Sequence, residues 1–281
     1  MDAEAYRAES HDRWSRSARG WAARRDHHQS VSLVVSEWMV DAIAPQPGHR
    51  VLELAAGAGD TGFLAAELIR PGGTLIVSDF AEPMLEVARA RARELGVDNV
   101  EFRELDAEWI DLPTASVDAV LCRWGYMLVA DPGAALRETR RVLRPGGRVA
   151  LAAWDGPERN PWASIPGRLL LDRGLVAPAD PEGPGMFAFA VPGRIEALLD
   201  EAGFGDHAVE ALDTERTYSD LEEFLDITRD CSRPFSDVWA GLDAAGREDL
   251  LKEAARRTAP FTEPGGELRF PGRPLVAVAE A

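Results

Sequence analysis

The chain has 281 residues, of which 46% are hydrophobic, and its formal net charge is −17. A surface this acidic repels phosphate backbones and anionic lipids, so we expect neither nucleic acid nor a membrane surface as the main partner. No stretch reaches the ~18 uninterrupted apolar residues of a membrane span. Residues 1–21 lack the apolar run of a secretory signal, and Cys122 and Cys231 are far apart in sequence, so we expect a cytoplasmic protein.

Predicted helices and strands alternate along the first half of the chain. Residues 10–44 carry apolar side chains at helical spacing, and PQPGH at 45–49 ends that segment. The elements that follow are strands at 51–54, 74–79, 100–105, 117–122 and 148–154, helices at 60–69, 82–95 and 132–143, a short helical turn before 117, and an RPGG turn at 144–147. This alternation predicts an α/β fold with a parallel sheet and helices on both faces.

The pattern changes after Trp154. Residues 155–193 are rich in Pro and Gly and predict a long irregular insertion, a kind of segment that tends to be functional. A helix at 195–204, a strand at 207–216, helices near 219–230 and 236–257, and a last strand at 273–281 follow. We therefore predict an N-terminal helical lid segment at 1–45 and one domain at 46–281, with lid or substrate insertions at 155–193 and 219–262.

A glycine-rich motif follows the first predicted strand. Gly57, Gly59 and Gly62 form a literal G-x-G-x-x-G, and Asp79 ends the next strand, 22 residues after Gly57. Such glycines let the backbone approach a ligand at a helix N-terminus, and a carboxylate at the second strand end can accept both ribose hydroxyls. This pattern is shared by dinucleotide sites, so an NAD-type oxidoreductase is one interpretation.

Two acidic residues favour S-adenosylmethionine (SAM) over NAD. Glu53 lies four residues before Gly57, where a carboxylate is awkward beside a pyrophosphate but suits a ligand with an ammonium group. Asp106, followed by Ala107, ends the third strand, where it could accept from an adenine amino group.

These motifs, taken in order, resemble those of class I SAM-dependent methyltransferases. The segment 53–59, Asp79, Asp106-Ala107, the strand ending in Cys122-Arg123-Trp124 and the RPGG turn most resemble the UbiE-like group with a methyltransferase type 11 domain. The resemblance covers residues 48–154 well. It implies a Rossmann-like three-layer sandwich with a mostly parallel seven-stranded sheet, its last strand antiparallel, plus a helical lid.

The chain also departs from that family in two respects. Ala55 stands where the usual first motif has a glycine, and the signatures of quinone C-methyltransferases are absent, so the quinone substrate does not carry over. The resemblance implies SAM as cofactor and a small-molecule acceptor. The residues that it assigns to the cofactor are Glu53, Ala55, Gly57, Gly59, Asp79, Phe80, Met84, Asp106, Ala107, Arg123 and Trp124.

The acceptor side of the site is less specific. Its wall candidates are Trp154, Asp155, Asn160, Trp162, Met186 and Phe187. His27 and His28 are candidate bases, of which at most one would face the site because adjacent helical residues point in different directions. No Cys/His cluster has metal-ligand spacing, so we expect no metal.

Two alternatives to an active methyltransferase stay open at this point. One is the NAD-type oxidoreductase, and the other is a SAM-binding protein without catalytic activity. For the N-terminal segment, Trp14, Trp21 and Trp38 must bury against something, which predicts a lid over the cofactor. A dimerisation arm, and hence a homodimer, is the alternative.

Overall fold

The computed structural model describes residues 2–178, 180 and 183–281. Positions 179, 181 and 182 of the predicted 155–193 insertion lie outside the described residues. The strands of the described chain are β1 (Arg50–Glu53), β2 (Thr74–Asp79), β3 (Val100–Glu104), β4 (Val117–Arg123), β5 (Leu143–Trp154), β6 (Gly205–Ala211), β7 (Thr214–Tyr218), β8 (Leu268–Gly272) and β9 (Pro274–Glu280).

Seven of these strands form one mixed sheet, as predicted. Their order is β3-β2-β1-β4-β5-β9-β6, and β9 pairs antiparallel with both β5 and β6 while the other pairs are parallel. The order reverses direction at β1, so β2 and β4 flank it on either side. Ligands of open α/β sheets bind outside the strand carboxyl ends at such a switch point.

Helices cover both faces of this sheet. The helices are α1 (Ala3–Ala23), α2 (Arg25–Ala42), α3 (Asp60–Leu68), α4 (Glu82–Leu95), α5 (Pro132–Val142), α6 (Pro161–Leu171), α7 (Arg194–Ala202), α8 (Leu221–Cys231), α9 (Arg233–Gly241) and α10 (Ala244–Thr258). One face packs against α2, α3 and α4, and the other against α5 and α7. Strand alternation supplies both cores: in β1, Val51 faces the first set and Leu52 the second.

The N-terminal segment differs from the prediction of one lid. It forms two helices that meet at Arg24, and the second half of α2 is a core helix of the sheet. Val35, Met39 and Ile43 are buried against strand residues. In the structure, α2 occupies part of one sheet face beside α3. Only α1 and the start of α2 remain available as a cover.

The second half of the chain contains a small additional unit that the sequence predicted only in part. The predicted strand 207–216 is two strands, because the chain leaves the main sheet after β6 and β7 pairs with β8 instead. α9 separates from α10, and α6 lies within the insertion expected to be irregular. Around the β7–β8 ribbon these helices share one apolar core, formed by Ile165, Leu169, Leu170, Tyr218, Phe224, Leu225, Ile227, Phe235, Leu250, Ala254, Leu268 and Phe270.

One local feature lies at each end of β5. The predicted RPGG turn lies inside β5 as an irregularity: Val117 pairs with Leu143 and Ala119 with Arg148, and Gly146 has a φ of +78°. At the other end of β5, a fully buried Asn160 donates to the carbonyls of Asp155, Gly156 and Arg273. These bonds tie the start of α6 to the connection between β8 and β9.

Within the described part of the chain, no helix is long and apolar enough to cross a membrane.

Candidate functional site

The glycine-rich loop between β1 and α3 turns sharply in the left-handed region. Ala55, Gly57 and Gly59 have φ values of +49°, +56° and +80°. A Cβ on Gly57 would meet nothing within 4 Å, whereas one on Gly59 would lie 2.7 Å from the Phe63 ring. The loop backbone at Gly57 is therefore open to a ligand, and Gly59 is needed for local packing. Ala55 adopts the conformation that usually takes glycine, which shows that the departure at this position is compatible with the loop.

Glu53 is buried directly behind this loop. Its side chain is 2% exposed and Oε2 has no hydrogen-bond partner in the structure. A Cβ on Gly62 would overlap Oε2, so the third glycine of the motif makes room for this carboxylate. Burial raises the pKa of Glu53 to about 8, against the opposing effect of the Arg123 charge. A buried oxygen without a partner is costly unless a ligand supplies a donor.

Asp79 fixes the loop to the end of β2. Its Oδ2 accepts from the Gly57 amide at 3.0 Å and its Oδ1 from the Ala81 amide at 3.0 Å. Burial raises the pKa of Asp79 to about 6, and these backbone hydrogen bonds lower it. Each oxygen has a second lone pair, so the carboxylate can still accept a pair of hydroxyls.

The start of α4 lies under the N-terminal helix. Met84 and Ala81 are buried against Ala18 of α1, with Trp14, Trp21 and Phe80 packed around them. The Phe80 ring also meets His11 edge-on, with centroids 5.7 Å apart. The two predicted adenosine contacts, Phe80 and Met84, therefore lie together at the interface between α1 and α4.

The turn after β3 contains the predicted cofactor residues Asp106 and Ala107. Asp106 accepts from the Glu108 amide at 2.9 Å, and Ala107 is buried in the core of the second sheet face. Glu108 pairs with Arg7 of α1 at 2.7 Å. The turn after β3 is thus another contact point of the N-terminal helix.

Arg123 ends β4, Trp124 follows it, and both side chains take part in aromatic contacts. Trp124 has a φ of +61°, and its indole stacks on Trp154 with centroids 4.6 Å apart. The Arg123 guanidinium carbon lies 4.6 Å from the Trp124 ring centroid. Arg123 Nη1 and Trp124 Nε1 are buried without hydrogen-bond partners. The structure brings both residues to the strand ends beside Glu53, whose charge raises the pKa of Arg123 against the larger effect of burial.

Arg216, on β7, was missed by the sequence interpretation. Its side chain is 4% exposed, and its guanidinium carbon lies 3.6 Å from the Trp162 ring centroid and 5.4 Å from that of Trp154. Strand alternation within TERTY places Arg216 on the same buried face as Tyr218, a signal that was present in the sequence. The predicted single strand 207–216 ends at this arginine, so the alternation from Arg216 to Tyr218 falls outside it.

Both candidate histidines lie in the interior. His28 stacks on Trp21 at 4.2 Å, and its Nε2 lies 3.1 Å from Cys231 Sγ. The His27 ring lies 4.9 Å from that of Tyr218, and its Nε2 is buried without a partner. Burial and the charge of Arg216 lower the pKa of His27 to about 4 and of His28 to about 3. Both rings are therefore neutral at neutral pH.

The remaining acceptor-side candidates divide into wall and scaffold. Trp154 and Trp162 meet edge-on at 5.0 Å and form one aromatic group with Trp124. Phe187 packs against the core of the second sheet face, and Met186 is among the exposed hydrophobic residues.

Asp155 and Asn160 act as scaffold in the structure. Asp155 forms an ion pair with Arg273 at 3.3 Å, and its Oδ1 accepts from the Gly156 amide. Asn160 uses both ends of its amide on backbone groups, accepting from the Arg273 amide at 2.9 Å as well as donating. Among the described residues, no group of three or more His, Cys, Asp or Glu side chains could hold a metal ion.

The buried carboxylate generates a prediction about stability and pH. The pKa of Glu53 is higher in the folded protein than in the unfolded chain, so its contribution is present below pH ~4.5 and is lost as pH rises towards 8. We expect Glu53→Gln to raise the free energy of unfolding at pH 8 by roughly 1–3 kcal/mol and to flatten its fall between pH 5 and 8. Urea unfolding at several pH values measures both effects.

Glu37→Gln, at an exposed position of α2, is the matched control and should leave the pH dependence unchanged. The pKa of Asp79 is shifted in the same direction as that of Glu53. In Glu53→Gln, the free energy of unfolding should therefore still fall slightly as the pH rises to about 6. A variant that is less stable than the wild type at pH 8 would contradict the assignment of Glu53 as an uncompensated buried acid.

Comparison with known proteins agrees with this geometry. A family model described as a methyltransferase domain matches residues 45–165. The ubiquinone/menaquinone biosynthesis C-methyltransferase UbiE of Pasteurella multocida is 35% identical over 136 residues, which are 48% of this chain and 51% of that protein. The chain thus spans about half the length of that relative.

Another relative is covered more fully. The demethylmenaquinone methyltransferase of Thermus thermophilus is 32% identical over 180 residues, which are 59% of this chain and 78% of that protein. The solved structure of the YcgJ protein from Bacillus subtilis shares the fold, with a TM-score of 0.60 and 21% identity over 87% of this chain and 97% of that one. The chain therefore belongs to the class I, UbiE-like family of SAM-dependent methyltransferases.

Proposed function

We propose that this protein transfers a methyl group from SAM to a small-molecule acceptor. The observation that carries the proposal is the buried Glu53 oxygen without a donor, behind an open glycine loop and beside Asp79 on the next strand. A dinucleotide would place a pyrophosphate near this loop, where a carboxylate is unfavourable. A ligand with an ammonium group supplies the donor that Glu53 lacks.

The residues present fit SAM. Glu53 and the backbone of the loop at 55–59 would hold the methionine end, and Asp79 would accept from the ribose hydroxyls through its remaining lone pairs. Phe80 and Met84, at the α1–α4 interface, would flank the adenine, with Asp106 and Ala107 at its edge. When bound, SAM supplies a methyl group on a sulfonium, which is electrophilic without activation by a metal.

The protein's own task is then to position the acceptor and exclude water. Trp124, Trp154 and Trp162 form a contiguous aromatic wall from the end of β4 to the start of α6. This wall suits a mostly apolar acceptor. His27 is neutral and its Nε2 has no partner, so we propose that it accepts a hydrogen bond from the acceptor. With its lowered pKa, the ring is a weak base and serves orientation more than proton removal.

The N-terminal cover is the second element of the proposal. α1 contacts α4 through the Ala18 cluster and the small unit through Arg24, which pairs with Asp230 at 2.7 Å. A Cβ on Gly20 would overlap the Asp230 carbonyl, so α1 approaches the end of α8 as closely as glycine permits. The Tyr6 hydroxyl donates to the Leu128 carbonyl at 2.8 Å. We propose that residues 3–28 close over the cofactor, and that the protein works in the cytoplasm.

The first test of this function is ligand selectivity. We expect S-adenosylhomocysteine (SAH), the reaction product, to bind with a Kd in the micromolar range, and NAD not to bind. Asp79→Ala should weaken SAH binding by roughly 1.5–3 kcal/mol, because charge-assisted hydrogen bonds to the ribose are lost. Isothermal titration calorimetry measures both values.

The control for that experiment is Asp111→Ala, which removes the same charge at an exposed position. It should bind SAH like the wild type. Unchanged binding in Asp79→Ala would remove Asp79 from the site, and tight binding of NAD would favour the oxidoreductase interpretation.

The cover makes a separate prediction for hydrogen exchange. Residues 20–35 should become more protected when SAH is added, because the cofactor adds surface for α1 to pack on. Hydrogen exchange with and without SAH, at two protein concentrations, measures this change. Protection that depends on protein concentration and does not change when SAH is added would instead indicate a dimerisation arm.

A further inference from the structure

A buried positive charge lies next to the aromatic wall and has no carboxylate partner. Arg216 projects from β7 to within 3.6 Å of the Trp162 ring centroid and is 4% exposed. Within residues 2–178, 180 and 183–281, it forms no ion pair with an acidic side chain. Buried charges in proteins are normally paired, because removing an ion from water costs several kcal/mol.

The surroundings of Arg216 increase this cost. Burial lowers the pKa of Arg216, and Tyr218, which shares a side-chain hydrogen bond with it, is the neighbour that most opposes this effect. The charge of Arg123 lowers the pKa of Arg216, Cys231 has a small opposite effect, and the neighbouring His27 and His28 rings are neutral. Stacking on Trp162 provides some compensation through cation–π attraction, but a guanidinium has five N–H donors that prefer planar acceptors.

Several buried polar atoms near Arg216 lack a hydrogen-bond partner among the described residues. They are Arg123 Nη1, Trp124 Nε1, Trp162 Nε1 and His27 Nε2. Three of the four carry hydrogens as N–H donors, and the fourth belongs to a neutral ring. Such a concentration of unsatisfied donors around a guanidinium without a carboxylate partner favours a site for an anion.

We propose that the acceptor is a planar aromatic compound carrying a carboxylate, which pairs with Arg216 while its ring packs against the tryptophan wall. This inference rests on the proposed function, since it places the methyl acceptor in that site. The guanidinium fork matches the two oxygens of a carboxylate, and Trp154 and Trp162 offer ring faces and edges at the spacing of aromatic contacts.

A matched pair of probes tests the charge requirement. Naphthoate and naphthamide have nearly the same shape, but only the first is an anion. We expect naphthoate to bind the full-length protein saturated with SAH at least about tenfold more tightly than naphthamide, as a charge-assisted hydrogen bond implies. Titration calorimetry or quenching of tryptophan fluorescence measures both affinities.

Two variants assign that preference to a residue. Arg216→Met keeps an unbranched side chain of similar length, and it should abolish the preference for naphthoate while changing the affinity for naphthamide and SAH by less than about twofold. Arg269→Met removes an exposed arginine from β8, the partner strand of β7, and should behave like the wild type. Since the charge of Arg216 is unpaired, Arg216→Met should melt at the same temperature as the wild type or higher.

The outcomes separate this inference from the proposed function. Equal affinities of the wild type for the two probes, or no binding of either at millimolar concentration, would overturn the inference. If Arg216→Met still prefers naphthoate over naphthamide, Arg216 does not bind the carboxylate. A lower melting temperature of that variant would then give Arg216 a structural role only. Failure of the wild type to bind SAH would contradict the proposed function, and the probe comparison without SAH would still decide the role of Arg216.

Discussion

The site depends on one costly constraint, the burial of an acidic side chain at the end of the central strand. Glu53 terminates β1, where the strand order of the sheet reverses, and it is enclosed by Gly62, the glycine loop and the region of Arg123. Burial favours its protonated form, the Gly62 amide only partly offsets this effect, and Oε2 has no well-formed hydrogen bond among the described residues. The loop conformation, the small residue at 62 and the attachment of Gly57 to Asp79 all preserve the space around this carboxylate. A ligand with a positive charge would supply a donor to Oε2 and would stabilise the ionised carboxylate.

The small unit formed by α6, α8–α10 and the β7–β8 ribbon supplies the opposite wall. It brings Trp162 and Arg216 over the strand ends, where Trp154 and Trp124 continue the aromatic surface. α1 then bridges this unit and α4, with Gly20 at the closest approach. The side chains that we propose for the cofactor include the buried acids Glu53 and Asp79, whereas the aromatic wall adjoins the basic Arg216.

Much of the sheet could be predicted from the sequence, because strands buried on both faces are short apolar runs that end at polar residues. The strand 74–79 and the helix 82–95 were predicted with the bounds observed, and the antiparallel last strand followed from the family resemblance. The errors lie where local pattern is ambiguous. Residues 207–216 alternate throughout, so only the tertiary pairing of β7 with β8 shows that two strands are present. For the same reason the sequence pattern does not single out Arg216, whereas the spacing from the glycines predicts Glu53 and Asp79 as cofactor-binding residues. Asn160, predicted as a pocket residue, bonds only to backbone, which sequence spacing cannot reveal.

The most direct test of this account is whether SAH binding releases a proton from Glu53. With a pKa of about 8 in the free protein, the carboxyl is mostly protonated at pH 7, and an ammonium group bound beside it requires the ionised form. Calorimetric titration with SAH at pH 7, in phosphate and in Tris, measures proton release through the difference in buffer ionisation enthalpy. The account predicts release of roughly 0.5–1 proton by the wild type and much less by Glu53→Gln. An enthalpy that is independent of the buffer, or equal release by the two proteins, would contradict it.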